Sequence, residues 1–229
     1  MLQGYLGSLL DGLRLTLAVA LLSLAIAVAL GLVGAAAKLS HSHLARGVAE
    51  VYTTLIRGVP DLVLMLLIFY GGQLGVNALA ARFGIDGIID IDPFIAGTLT
   101  IGFIFGAYLT ETFRGALLAL PPGQAEAGRA FGMSGAQVFR RLVLPQMVRH
   151  ALPGFANNWL VLVKSTALVS VIGLNDMMNK ATQAAGATRE PFTFYLAAGA
   201  LYLAITTVSG LALHWLERRF SLGVKAAVF

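Results

Sequence analysis

The chain has 229 residues, 58% of them hydrophobic and only 12% charged, with no cysteine and a net charge of +5. Soluble domains carry roughly twice that share of charge and the mean hydropathy here is +0.81, so a water-soluble globule is excluded, as are a disulfide framework and a thiolate metal site. The basic residues are scattered in short clusters between apolar runs, which argues against a nucleic-acid partner.

Residues 1–14 are too polar and too weakly basic for a signal peptide, and no A-x-A-like site follows, so the first apolar run is expected to stay as an anchor. That run, 15–37, holds no Asp, Glu, Lys or Arg, and neither do 62–81, 93–110 and 191–216. A fifth, from 151 to about 173, is interrupted only by Lys164. Each is near or above the roughly 18–20 residues of a bilayer-crossing helix. In hydrocarbon every backbone group must be bonded within its own segment, so lone strands are excluded. The expectation is an all-α integral membrane protein, a single domain over 1–229. Its spans lie at about 13–37, 58–81, 93–115, 151–173 and 191–216, with a polar loop at 120–150.

Five spans place the termini on opposite sides. One side collects Lys38, Arg46 and Arg57, then Arg114, Arg129, Arg140, Arg141 and Arg149, then Arg218, Arg219 and Lys225. The other holds only Arg14, Arg82, Lys180 and Arg189. Short basic loops stay in the cytoplasm, so the N-terminus is expected outside and the C-terminus inside.

The third loop has an internal order that this rule does not require. Pro121-Pro122-Gly123 ends the third span, because proline cannot continue a helix interior. Residues 124–131 form a short helix with small residues on one side and charge on the other, which Gly132 stops. Ser134 and Gln137 have capping-box spacing, and Met133 can staple onto Val138. A second short helix from about 135 to 144, stopped near Pro145, is expected to follow. Ala127, Gly128 and Ala130 leave little side-chain bulk, so a partner backbone could approach there, with Glu126 and the arginines fixing polarity.

This stretch resembles the EAA loop of permease subunits in bacterial ABC importers: Glu-Ala-Ala, three residues, Gly, nine residues, then Ile-x-Leu-Pro. Glu126, Ala127, Gly132, Leu144 and Pro145 match it, while Gly128 and Leu142 depart from it. Further segments are similar to the polar amino acid branch of that family. They include Gly12 with Thr16-Leu17, Arg57-Gly58-Val59-Pro60, Tyr108-Leu109-Thr110-Glu111, Asn157-Asn158 and Lys164-Ser165-Thr166-Ala167-Leu168. Residues 57–70 and Glu217-Arg218-Arg219 look nearest to permeases for basic amino acids: histidine, lysine, arginine and ornithine.

The resemblance implies the type I importer permease fold in a bacterial inner membrane, with lipid around it. It implies a second permease subunit (another chain or a copy of this one), a dimer of cytoplasmic ATPases and a periplasmic amino acid-binding protein. Glu126, Ala127, Gly128, Ala130, Gly132, Leu144 and Pro145 would dock the ATPase. The chain has no G-x-x-x-x-G-K-[ST], so it holds no ATP in the P-loop manner; ATP and Mg would sit on the ATPase. Lys164-Ser165-Thr166 copies only the motif's tail.

No nucleophile–base–orienter set or metal-ligand cluster stands out, so no catalytic residue, cofactor or metal is expected on this chain. His41 and His43 alone make a poor metal site. Glu111, Asn157, Asn158, Lys164, Ser165 and Thr166 are the candidates for a substrate path. Lys164, about 20 Å into the fourth span at the helical rise, would bind a substrate carboxylate, pair with Glu111 or snorkel. Glu111 would pair with Arg114 three residues on, or serve as a gate or a seat for a cation. The amides would bond across helices or touch substrate, and Gly102 and Gly106 have the spacing of close helix packing. An ion-coupled secondary transporter or channel, using Glu111 with Lys164, is the competing class.

Overall fold

A computed structural model describes residues 4–85, 87–121 and 123–220. Among them nearly everything is helix: α1 (Leu6–Lys38), α2 (His43–Gly58), α3 (Asp61–Arg82), α4 (Pro93–Leu118), α5 (Gly123–Ala130), α6 (Gly135–Val138), α7 (Leu144–Ser165), α8 (Met177–Thr188) and α9 (Pro191–Phe220). A π-helical turn, Phe139–Val143, joins α6 to α7, and a 3-10 segment, Thr166–Ile172, continues α7. Five stretches are long and apolar enough to cross a membrane: α1, α3, α4, the run Gly135–Ile172, and α9.

The centre is a parallel pair, α1 against α4, with Ser23 beside Thr98 at one end and Lys38 beside Glu111 at the other. Lipid tails are as apolar as leucine, so helices in a membrane associate by close packing rather than by escape from water. Glycine permits that closeness here. A Cβ on Gly102 would stand 2.7 Å from the Ile26 side chain, and one on Gly31 2.7 Å from Leu109. Gly106 lies as tightly on Leu30 and Tyr52. The Ser23 hydroxyl donates to the Thr98 carbonyl across the pair at 3.0 Å. In its most apolar stretch α4 is 67% buried, whereas α9 is 6% buried; α4 is the hub and α9 the rim.

At the α1 N-terminal end, Gly12 meets α8 backbone to backbone, with the Met177 N and Cα 2.8 Å from where a Cβ would be. Thr16 secures this crossing: its hydroxyl donates to the Gly12 carbonyl at 3.0 Å and accepts the Met177 N–H at 3.1 Å. The caps explain where helices start. Asp92 accepts the Phe94 and Ile95 N–H groups with Pro93 in the first turn of α4, the arrangement in which proline's missing donor does no harm. Ser42 caps α2 and Asp176 caps α8.

Three sequence expectations change. Residues 43–57, expected between the first two spans, belong to α2 (His43–Gly58), which buries Ala49, Thr53 and Ile56 and exposes Leu44, Val48, Val51 and Leu55. The stretch after the fourth span carries α8. The second helix of the third loop does not stop at Pro145 but runs unbroken into the fourth span as Gly135–Ile172. Proline in a helix interior clashes with the carbonyl four residues back. Here the wider π turn immediately precedes α7, with Pro145 in its first turn, where the i→i+5 pattern leaves room. The spans accordingly differ at their ends: α1 begins seven residues before the expected 13, and α3 begins at Asp61 rather than 58. Lys225 and Pro122 lie outside the described residues.

Candidate coupling surface and transport path

The end of the bundle where α1 and α4 finish carries a compact α5–α6 hairpin. Its turn is built from backbone bonds that glycine makes possible. Gly132 is left-handed (φ 79°), its N–H reaches the Arg129 carbonyl at 2.9 Å, and the Met133 N–H reaches the Gly128 carbonyl at 3.1 Å. This is a Schellman end. Ser134 and Gln137 then exchange both bonds of a capping box.

The hairpin closes on Gly128. That glycine is buried against Leu142, Val138 and Met133, which corrects the expectation that it opens an outer face to a partner. Glu126, Ala127, Arg129 and Ala130 face outward. So does Phe131, 89% exposed. Phe131 carries no role in the sequence expectations; a large aromatic beside a helix-ending glycine in a polar loop is the signal that marks it. Leu144 is half-buried and Pro145 exposed.

Near the same end, α1, α2 and α4 form an open pocket of about 380 Å³ lined by Lys38, Glu50, Thr53, Thr54, Arg57, Tyr108, Glu111 and Arg114. The Lys38 side chain is 5% exposed and binds both Glu50, at 2.9 Å, and Glu111. Arg114 holds the second Glu111 oxygen at 3.0 Å, and the Arg57 guanidinium lies 5.7 Å from the Tyr108 ring centre. Glu111 therefore pairs with Lys38 and Arg114, not with Lys164, and the proposed intramembrane Glu111–Lys164 couple is not formed. The set holds three cations and two carboxylates, and both carboxylates are paired within it. Lys38 and Glu50 were missed because their partners are distant in sequence.

The remaining candidates separate. Asn158 donates to the Thr112 hydroxyl at 2.9 Å and so ties α7 to α4, while Gly154 packs on Thr112. Thr166 is buried and donates to the Val163 carbonyl at 2.7 Å, with the Tyr202 hydroxyl 3.5 Å away. Ser165 is half-buried, and Asn157 and Lys164 are exposed.

At the opposite end Asp176 is 1% exposed. Its Oδ1 accepts the Asn179 N–H at 2.9 Å, and its Oδ2 has no partner among the described residues. Burial pushes its pKa up to about 6. A carboxyl that binds its proton more tightly folded than unfolded stabilises most below the unfolded pKa. That contribution is lost as pH rises from about 4 to about 6 and is flat above. Thermal melting of the purified protein across this window should show the loss, and Asp176→Asn, which keeps a capping oxygen, should flatten it.

The family model of the binding-protein-dependent transport system inner membrane component matches residues 27–222. The chain is 56% identical to the histidine/lysine/arginine/ornithine transport system permease protein HisQ of Escherichia coli K12, over 99% of each chain. It is 44% identical to the octopine transport system permease protein OccQ of Agrobacterium tumefaciens, over 99% of this chain and 95% of that one.

The chain is a binding-protein-dependent transport system inner membrane component.

The crystal structure of an amino acid ABC transporter with histidines is similar to this inner membrane component at TM-score 0.79 and 33% identity, covering 94% of this chain and 95% of that one. An inward-facing structure of the MetNI methionine ABC transporter shares the fold alone, at TM-score 0.71 and 17% identity over 94% and 97% of the two chains. The all-helical architecture with five candidate spans is thus that of the ABC importer permeases, and the chain is a multi-pass inner-membrane permease.

Proposed function

We propose that this permease carries basic amino acids (histidine, lysine, arginine and ornithine) across the bacterial inner membrane into the cytoplasm. A periplasmic binding protein delivers them, and a pair of cytoplasmic ATPases bound by the α5–α6 hairpin drives the cycle. The observation that carries the substrate class is the 56% identity to HisQ over essentially the whole of both chains. The N-terminus lies on the periplasmic side, which agrees with the crowding of arginines at the hairpin end. A second permease, a different chain or a copy of this one, completes the path. Glu126, Ala127, Ala130, Phe131 and Gly132 present the docking face, Gly128 sets its internal packing, and Leu144 and Pro145 lead into the fourth span. ATP and Mg bind on the ATPase. Glu111, Asn157, Asn158, Lys164, Ser165 and Thr166 border the substrate path. Glu111 acts within the Lys38 and Arg114 cluster rather than as a free seat for a cation.

The test is uptake of labelled L-arginine into proteoliposomes holding the permease pair, the ATPase and the binding protein. Uptake should require ATP and ignore an uncoupler. Uptake that persists without the ATPase and collapses with the uncoupler would instead identify an ion-coupled carrier.

A further inference from the structure

Lys164 lies in the last turn of α7, at mid-depth. Below it Asn158 and Gly154 meet Thr112 on α4, and above it Val169 packs on Gly97, so the lysine stands opposite the middle of α4. Gly173 is about 16 Å further along at the 3-10 rise, and Pro145 about 28 Å back at the α rise. A four-carbon stem reaches neither interface.

Its charge is unanswered among the described residues. No hydrogen bond or ion pair among the described residues involves it. Glu111 is held by Lys38 and Arg114, Asp176 caps α8 at the far end, and Asp61, about one turn away at the Tyr108 level, makes no ion pair with the lysine among the described residues. The closing carbonyls of α7 supply only about half a negative charge.

Its surroundings are not those of a lipid face. Pro153, Asn157, Val161 and Lys164 form one exposed stripe on α7, at the four- and three-residue spacing of a single helix side. The exposed faces of α9 and α3 are apolar instead, with Leu196, Leu203 and Leu211, and Leu62, Leu67 and Leu74. A bare ammonium in hydrocarbon costs several kcal/mol, so in the assembled transporter this stripe borders a polar path.

We infer that Lys164 binds the α-carboxylate of the amino acid in transit, with the Asn157 amide two turns away accepting from the cationic end. The spacing between them, about 10 Å, suits an extended basic amino acid. This assignment rests on the transport function proposed above and adds to it the expectation that a decarboxylated amine binds more weakly than its parent amino acid.

The test uses the detergent-solubilised complex of both permeases and the ATPase, without binding protein, and compares L-arginine with agmatine, its decarboxylated form. Lys164→Gln should weaken arginine binding at least about tenfold and leave agmatine binding unchanged, and Lys164→Arg should restore much of the preference. Equal arginine binding by wild type and Lys164→Gln overturns the assignment. So does equal loss of both ligands, or a variant whose permease pair falls apart on gel filtration, which would make Lys164 a subunit contact. In proteoliposomes, failure of the wild type to take up L-arginine overturns the substrate class, and the Lys164 assignment with it. Normal uptake by both proteins overturns the assignment alone.

Discussion

Phe131→Ala is expected to cut ATP-driven uptake about tenfold or more while the permease inserts and pairs as before. The ring is 89% exposed, so its removal leaves no cavity in the chain and its folded stability should be unchanged. Buried in a groove of a partner it would be worth about 1.5–3 kcal/mol, a tenfold to hundredfold change in attachment. Gly132→Val should do comparable damage by another route. A β-branched residue at φ 79° is strained by about 1–2 kcal/mol, and relief would re-aim the ring. Reversing Glu126 should also uncouple transport. Titration of the ATPase onto permease-loaded membranes, read beside uptake, checks all three. Unchanged attachment and uptake in every variant would remove the docking role from the hairpin.

Lys38→Met should be the most destabilising single change at the hairpin end of the bundle. It strips the lysine from two carboxylates at once, and breaking a buried pair from one side costs about 3–5 kcal/mol. The Glu50 share is small, because that side chain is 64% exposed and exposed pairs contribute little. Most of the loss therefore comes from Glu111, which keeps Arg114 but loses its shielded partner. Adding Glu111→Gln to Lys38→Met should recover part of the lost melting temperature, a sign that the damage was an uncompensated charge. If the double variant is no more stable than the single, Lys38 acts by packing.

These two sites differ in how much of them could be read from residues alone. The hairpin was largely readable, because caps and glycine turns are set by neighbours within five positions: Ser134 with Gln137, Gly132 with Arg129 and Gly128. The side on which Gly128 is buried was not, since it depends on Leu142 arriving from the next helix. The five spans were readable because hydrocarbon forbids unpaired backbone over long runs. Their ends were less so, because α2 carries charge and α8 is made of small residues, and neither fits a rule about charge-free length. Pro145 misled because a proline reads as a stop unless a π turn precedes it. The Lys38–Glu111 pair bridges 73 positions, and no local pattern announces it. The Gly12 and Thr16 positions were recognised by resemblance only, and their reason lies in the Met177 backbone.

The unbroken helix from Gly135 to Ile172 makes spacing a functional quantity. Between the α5–α6 hairpin and Lys164 there is no linker to absorb a length change. Each residue added or removed between them turns one end against the other by about 100° and shifts it about 1.5 Å. A one-residue deletion there would leave every side chain intact and still point the lysine away from its path. Within this chain the count of residues from Ser134 to Lys164 matters as much as their identity, and homologous permeases should vary in sequence along that stretch far more readily than in length.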